Sequence, residues 1–425
     1  MQPFFSISIP TLGKIDQWKF AIQSILDQTF KDFEIIAIDS GPETASRPII
    51  ESLNDPRIHY INTSDKDPRL NWDRGFREAR GTYIIWFEDD NYMLPHELMQ
   101  LAMVINETDA DIVTGECVHW RGAGHYIKNF RNQLIVRKQL FSGEVKRIDQ
   151  KNIIRTILDI PQHEKPTRSR MHMTHTAVRH TLVDRYISRV GKISFGSTGT
   201  HALRVGLLAL ARTIYLVERP LSIIGMTGSS LSDAWGKSYP HTKFPKFEYR
   251  ISPVTGHTNV NYRNENYLLV KNYLKKEMAE FVLDEIRFFR SYRYELIFII
   301  QPWKELFRVW YELLRVLQHS SDAHVRALYR NTLLYFCIAV ATKCARIIRL
   351  YDFIKLILGE LRKSKKAQII IPLDGYGVKN IRECAQKLPF IIEKELGLTY
   401  EKFCGLPASI HANNSFPSQS PRATI

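Results

Sequence analysis

The chain has 425 residues, of which 44% are hydrophobic and 11% aromatic. This length and composition predict two or three domains with buried cores and exclude a disordered protein. The net charge of +15 favours anionic partners such as nucleotide phosphates, nucleic acid or an acidic membrane surface.

Strand and helix signals alternate from residue 4 to about residue 116. Runs of apolar and β-branched side chains predict strands over residues 4–9, 33–38, 57–62, 83–87 and 111–115. Helical spacing of apolar residues predicts helices over 15–28, 44–53, 71–80 and 95–106. Such alternation is typical of a mostly parallel sheet with crossover helices, so we predict an α/β fold.

The remainder of the chain is less regular. Residues 117–185 are mixed and rich in His and Arg, and a late strand is predicted over 215–224. Long charged helices are predicted over 268–289, 305–318 and 323–360. We therefore predict five segments: an α/β domain over 1–235, a loop or linker over 236–261, an α-helical region over 262–365, a short α/β extension over 366–405 and a disordered tail over 406–425.

The most informative segment follows the strand predicted over 83–87. This strand ends in Glu88, Asp89, Asp90 and Asn91. Carboxylates at the end of a buried strand are costly unless a cation receives them. The carboxyl ends of parallel strands are where α/β sheets bind ligands, and a divalent metal that carries a phosphate would fit there. A solvated acidic turn is the alternative.

An ordered set of motifs makes residues 4–232 resemble the family 2 glycosyltransferases, which have the GT-A (Rossmann-like) fold and use nucleoside-diphosphate sugars. The motifs are Ser8 to Thr11, Ser24 to Phe30, Phe33 to Asp39, Asn71 to Gly81, Phe87 to Asp90, and Pro220 to Ile223 followed by Ser229 and Ser230. The resemblance implies inverting transfer of a sugar from a UDP- or GDP-linked donor to a glycan, lipid-linked or protein acceptor, in polysaccharide or glycoconjugate synthesis.

The resemblance also implies a set of site residues. Glu88 and Asp90 match a DxD-type motif that holds Mn²⁺ or Mg²⁺, and alternation along the strand would turn Asp89 to the other side. The donor would be bound by Pro10, Thr11, Asp39, Asn71, Arg74 and Asp89. Asp39 has a plain structural alternative as a helix N-cap or Asx turn, and Trp72 is expected in the core.

The chain departs from the family where the catalytic base is expected. The family's base is a carboxylate, but residues 195–202 contain none, and His201 is the conventional base in that stretch. His201 is therefore either the base or a packed or exposed histidine, with Asp184, Glu218 and Asp233 nearby in sequence. A catalytically impaired scaffold that binds nucleotide sugars is the alternative function.

Other signals are weaker. His172 and His175 suit either metal ligation or an ordinary helix face. The basic residues of 262–365 are interspersed with acidic ones, which disfavours a nucleic-acid partner. The aromatics of this region suit either a bundle core or contact with an anionic membrane.

The expected location is the cytoplasm, with the inner face of the membrane as the place of any peripheral contact. The five cysteines form no CxxC pair, and the start of the chain lacks a signal-peptide pattern. No apolar run reaches the length of a spanning helix.

Overall fold

The computed structural model describes residues 2–63, 68–125, 128–137, 142–158, 173–193, 200–227, 250–255, 258–298, 303–347 and 368–404. Several predicted features lie outside the described residues: His172, the serines 229 and 230, Asp233, most of the linker over 236–261, the end of the helix predicted over 323–360 and the tail over 406–425.

The first half of the sheet is parallel. Its four strands are β1 (Phe5–Thr11), β2 (Phe33–Asp39), β3 (Ile58–Asn62) and β4 (Tyr83–Trp86). They lie in the order β3-β2-β1-β4, and the register places Thr11 opposite Asp39. The crossover helices are α1 (Ile15–Leu26), α2 (Glu43–Leu53) and α3 (Pro68–Arg77). The predicted alternation is confirmed, so the C-terminal ends of four strands meet at one edge.

The second half of the sheet is mixed. Strand β6 (Ile112–Arg121) pairs in parallel with β10 (Ile214–Met226), while β9 (Thr176–Arg179) lies antiparallel between β4 and β6. Two short strands pair with β10: β5 (Tyr92–Met93) and β8 (Val145–Arg147). Strand β7 (Gln133–Arg137) pairs antiparallel with β6. The helices of this half are α4 (Glu97–Thr108), α5 (Gln150–Leu158), α6 (His180–Val190) and α7 (Thr200–Leu210).

A helical region follows the sheet domain, as the sequence predicts. Its helices are α8 (Asn259–Tyr273), α9 (Glu285–Phe298), α10 (Trp303–His319) and α11 (Ala323–Ile347). Helix α8 packs its Tyr267 and Val270 into the core formed with α6 and α7. Helices α9 to α11 share a separate core that contains Phe289, Tyr292 and Trp310. The bundle-core explanation therefore holds for these aromatics, whereas Trp303 remains 37% exposed.

The continuous helix predicted over 268–289 is wrong. Helix α8 ends at Tyr273, and α9 begins at Glu285. Asp284 accepts a hydrogen bond from the backbone N–H of Arg287 at 3.0 Å, which satisfies a donor at the start of the new helix. Helical periodicity continued through the break, so the sequence pattern did not reveal it.

The C-terminal extension completes the sheet. Strand β11 (Gln368–Pro372) pairs antiparallel with β7, which gives the order β11-β7-β6-β9-β4-β1-β2-β3. Helices α12 (Ile381–Leu396) and α13 (Tyr400–Cys404) share a core with Trp120 and Ile223 of the sheet. The predicted boundary at residue 366 stays a prediction. Within the described ranges, no helix combines the length and apolar character that a membrane span requires.

A buried ionic cluster joins the N-terminal ends of β1, β2 and β4. The Glu34 carboxylate accepts hydrogen bonds from the Ser6 hydroxyl at 2.6 Å and from the Arg80 backbone N–H and Nε, both at 2.8 Å. The Ser6 oxygen also accepts the N–H of Gly81 at 2.6 Å. Burial raises the pKa of Glu34, but the bonds from Ser6 and Arg80 outweigh burial and hold the pKa below its usual value.

We expect Glu34→Gln to lower the free energy of unfolding by about 1–3 kcal/mol at about pH 7. Because the folded-state pKa is depressed, this stabilisation is present above the unfolded pKa and is lost as pH falls through the folded one. Chemical denaturation at several pH values should show the difference from wild type shrinking below about pH 4. The exposed control Glu107→Gln should have little effect. A difference independent of pH would contradict the assignment.

Candidate functional site

The loops at the C-terminal ends of β1 and β4 meet at one edge of the sheet. Strand β1 ends at Thr11 and is followed by Gly13, whose φ of +72° suits glycine, and by Lys14. The chain leaving β4 stays beside β1, because the Phe87 N–H donates to the Ser8 carbonyl at 2.9 Å. The next residues, 88–91, form an acidic turn that faces the end of β1.

Lys14 and Thr11 hold the acidic turn from the β1 side. The Thr11 hydroxyl donates to Asp89 Oδ2 at 2.8 Å, and Lys14 Nζ donates to Asp89 Oδ1 at 3.0 Å. Lys14 Nζ also lies 3.9 Å from Asp90 Oδ2. Asp89 and Asp90 are buried, while the Lys14 side chain is 23% exposed. The acidic turn is therefore a buried ionic cluster and not the solvated turn that was the alternative.

Burial and mutual repulsion disfavour full ionisation of the cluster. Burial raises the pKa of Glu88, whose side chain keeps part of its surface exposed, and the Asp89 carboxylate adds to this rise. Burial also holds the pKa of Asp90 well above its usual range, against the attraction of Lys14. The pKa of Lys14 is raised, because Asp89 and Asp90 outweigh the effect of burial, which lowers it. Further positive charge would stabilise the ionised carboxylates.

The expected orientation of Asp89 is not met. Alternation along a strand would turn Asp89 away from Glu88 and Asp90, but β4 ends at Trp86 and the backbone turns at 89–90. The N–H of Asn91 donates back to the Glu88 carbonyl at 3.2 Å, as in a tight turn. Asp89 therefore joins the contacts at the end of β1. Sequence reasoning also missed Lys14, although a cation directly after the glycine that follows a predicted strand was a usable signal.

Strand β10 contacts the acidic turn through Gly225. The Gly225 N–H donates to Asn91 Oδ1 at 3.3 Å. A Cβ atom at Gly225 would lie 2.0 Å from the Asp90 carbonyl oxygen and 3.3 Å from Cδ1 of Ile381 in α12. Only glycine allows this approach, so the position of Asp90 depends on both the late strand and the C-terminal extension.

Asp39 lies at the end of β2, opposite Thr11, and is fully buried. Its Oδ1 accepts the Gly41 N–H at 2.7 Å, an Asx-type contact, and its Oδ2 accepts the Ser46 hydroxyl and Asn62 Nδ2, the latter at 3.3 Å. The structural alternative considered for Asp39 thus matches its contacts. Nucleotide binding by Asp39 stays a prediction, as does any role of the neighbouring Asn62.

Of the other residues predicted to bind the donor, Pro10 and Asn71 lie at the same edge. Pro10 is half-buried directly before Thr11. Asn71 is buried, and its Nδ2 donates to the hydroxyl of Ser40, which follows Asp39. Arg74 lies one helical turn after Asn71 on α3 and is half-buried. Trp72 packs edge-on against Trp86 at 5.3 Å and belongs to the core, as expected.

His201 occupies the first turn of α7 and is half-buried. Its ring lies edge-on to Tyr262 of α8, with 6.0 Å between ring centroids. In the described part of the chain, the contacts of the acidic turn do not include His201. Two of the carboxylates that could replace His201 as the base are described by the structure, and both have other partners. Asp184 lies 3.7 Å from His180, and Glu218 accepts a hydrogen bond from Lys146 at 2.8 Å.

The carboxylates of the acidic turn are the predicted ligands of a metal ion. Among the described residues, no three His, Cys, Asp or Glu side chains gather as a ready metal site, and His175 instead bonds Ser222 at 3.0 Å. Asp90 Oδ2 is buried and accepts no hydrogen bond from the described residues. Mg²⁺ and Mn²⁺ commonly take one or two carboxylates and complete their shell with phosphate oxygens and water. The Asp90 oxygen without a hydrogen bond is compatible with such a ligand, and metal binding by Glu88 and Asp90 stays a prediction.

The part of the chain that contains this edge of the sheet matches one protein family. Residues 6–180 match the family described as Glycosyl transferase family 2. The GalNAc(5)-diNAcBac-PP-undecaprenol beta-1,3-glucosyltransferase of Campylobacter jejuni is 29% identical over 166 residues, which are 36% of this chain and 53% of that protein. The glycosyltransferase GlyA of Streptococcus pneumoniae is 23% identical over 278 residues, which are 62% of this chain and 36% of that protein.

The chain spans about half or less of the curated relatives it matches. A crystal structure of S. aureus TarS 1–349 in complex with UDP-GlcNAc aligns with a TM-score of 0.45 and 14% identity, covering 80% of this chain and 92% of that one. The family match covers β1 to β9 and includes the acidic turn.

We expect Lys14→Met to lower the free energy of unfolding by about 1–3 kcal/mol, because it leaves a buried carboxylate without its charged donor. Adding Asp89→Asn should recover part of this loss, since the amide carries no charge. Denaturant titration of the two single variants and the double variant measures the coupling. The exposed Lys19→Met serves as control. Strictly additive losses would contradict a direct Lys14–Asp89 interaction.

Proposed function

We propose that this chain, whose residues 6–180 match glycosyltransferase family 2, transfers a sugar from a nucleoside-diphosphate donor to a hydroxyl acceptor. The observation that supports the proposal is the acidic turn: it lies at the edge where α/β sheets commonly bind ligands, and a buried Asp90 oxygen there accepts no hydrogen bond from the described residues. The relatives named as glycosyltransferases support the same reaction class.

In this proposal, Glu88 and Asp90 hold Mn²⁺ or Mg²⁺. The bound ion would neutralise charge on the departing nucleoside diphosphate. Lys14 already neutralises the cluster from the β1 side, and its ammonium group can pair with diphosphate oxygens as well as with Asp89. The carboxylates and the lysine thus provide a binding place for both a cation and an anion.

The donor's nucleotide is proposed to lie over the ends of β1 and β2. Pro10 and Thr11 would flank the base, and Asp39 would accept a hydrogen bond from the base or ribose in place of one of its present donors. Asn71 of α3 contacts Ser40 at the same edge, and the guanidinium of Arg74, one turn further along α3, is proposed to pair with phosphate. A UDP- or GDP-linked sugar fits these groups.

The transfer step is proposed to invert the anomeric carbon. The acceptor oxygen forms a bond to that carbon while the bond to the diphosphate oxygen breaks, and the acceptor proton passes to a base. Neutral His201 is the proposed base, since imidazole accepts a proton near neutral pH. The acceptor is proposed to be a hydroxyl of a glycan, a lipid-linked sugar or a protein.

A nucleotide-sugar scaffold without turnover is the second candidate, motivated by the missing carboxylate near His201. The family match and the named transferases among the relatives favour transfer over this candidate. Metal-dependent donor hydrolysis by the wild-type protein would separate the two without knowledge of the acceptor.

We expect UDP or GDP with Mn²⁺ to raise the melting temperature of the wild-type protein, because a ligand that binds only the folded state stabilises it. Asp90→Asn should remove the part of the rise that depends on Mn²⁺ while the apo protein stays folded. Asp184→Asn, a control on the exposed face of α6, should keep the full rise. An undiminished Mn²⁺-dependent rise in Asp90→Asn would refute the proposed metal role.

His201→Gln should lower the transfer rate by about 10²–10⁴ while the melting-temperature rise with nucleotide stays as in wild type. Lost turnover with retained nucleotide binding distinguishes a base from a residue that only packs against Tyr262. A variant that retains the rate would exclude His201 as the base.

A further inference from the structure

Helix α10 leaves a stripe of aromatic side chains outside the bundle core. Trp303, Phe307 and Tyr311 are 37%, 51% and 70% exposed. They are spaced four residues apart, so they lie one above the other on a single face of the helix. The opposite face carries the buried Val309 and Leu313. The stripe therefore lies outside the core of the bundle.

The neighbouring helix extends this apolar surface. Phe307 stacks on Trp303 at 6.0 Å and contacts Phe336 of α11 edge-on at 5.7 Å. Between Arg330 and Lys343, α11 contains no charged residue. Three large aliphatic side chains in that stretch are 38–62% exposed: Leu333, Leu334 and Ile338. We call the aromatic stripe and these three residues the α10–α11 patch.

Cations surround the patch. Lys304 and Arg315 lie on α10 beside the stripe and are exposed, as is Arg330 at one end of the uncharged stretch of α11. None of these three side chains forms an ion pair within the described residues. Lys343 Nζ lies 4.9 Å from the centre of the Trp303 ring. The two α10 carboxylates are part-buried and engaged, since Glu305 accepts a hydrogen bond from Arg308 and Glu312 accepts one from Thr255 at 2.8 Å.

We propose that the α10–α11 patch docks on the surface of an anionic phospholipid bilayer. Aromatic side chains on a helix face suit the boundary between headgroups and acyl chains, and adjacent Lys and Arg suit anionic headgroups. The net charge of +15 acts in the same direction. The contact is peripheral: the helices lie on the bilayer with their apolar face inserted.

Two other occupants fit less well. A second copy of the chain, packed through the same patch, would bring the two rings of cations together, and like charges across an interface are unfavourable. Single-stranded nucleic acid would use the aromatics and cations but would leave exposed Leu333, Leu334 and Ile338 without apolar partners. A bilayer satisfies both the apolar and the cationic parts of the patch.

Vesicle flotation of the full chain without nucleotide tests this proposal independently of sugar transfer. Wild-type protein should float with vesicles of phosphatidylcholine and phosphatidylglycerol, less with phosphatidylcholine alone, and less at high salt. Phe307→Ser/Tyr311→Ser should weaken binding about tenfold or more. Lys304→Gln/Arg315→Gln should remove most of the preference for the anionic lipid.

The matched control is Val282→Ser/Phe390→Ser, which removes two exposed apolar side chains elsewhere and should bind as wild type. Each variant should keep the wild-type melting temperature, which shows that it folds. Absence of wild-type flotation with anionic vesicles, or unchanged flotation of Phe307→Ser/Tyr311→Ser, overturns the proposal. Without flotation, patch-dependent dimers in light scattering would assign the patch to a second copy, and patch-dependent RNA binding would assign it to nucleic acid.

Discussion

The constraint that organises this molecule is the burial of carboxyl groups at the end of β4. Such groups are tolerated only where positive charge or hydrogen-bond donors reach them. Here Thr11 and Lys14 supply both from the end of β1. The strand order β3-β2-β1-β4 makes this possible, because it places β1 and β4 side by side with their C-terminal ends at the same edge. The candidate site therefore depends on the strand order of the fold, which brings the end of β1 to the carboxyl groups at the end of β4.

The acidic turn also depends on segments far away in sequence. Gly225 of β10 lies directly against the Asp90 backbone, and Ile381 of α12 lies behind Gly225. Segments beyond the family-matched residues 6–180 therefore complete the surroundings of the site. A metal ligand at Asp90 would be positioned by the sheet, the late strand and the C-terminal extension together.

The sequence predicted those parts of the fold whose signals are local. The alternation over residues 4–116 predicted the parallel strands and their crossovers, and the ordered motifs located the acidic turn. Strands β7 and β9 were not predicted, because short strands such as Thr176–Arg179 are defined by distant partners. The predicted orientation of the Asp89 side chain was wrong for a geometric reason, because the alternation of side chains stops where β4 ends. Lys14 was missed because its partners are some 75 residues away.

The most direct measurement is a crystal structure of the protein with a nucleoside diphosphate and Mn²⁺, with the metal located by its anomalous scattering. The account predicts one manganese peak bound by a carboxylate of Glu88 or Asp90 and by the diphosphate, with Lys14 beside the same phosphates. Nucleotide and metal bound at a different surface, while Lys14 still pairs with Asp89 and Asp90 stays without a metal, would contradict it.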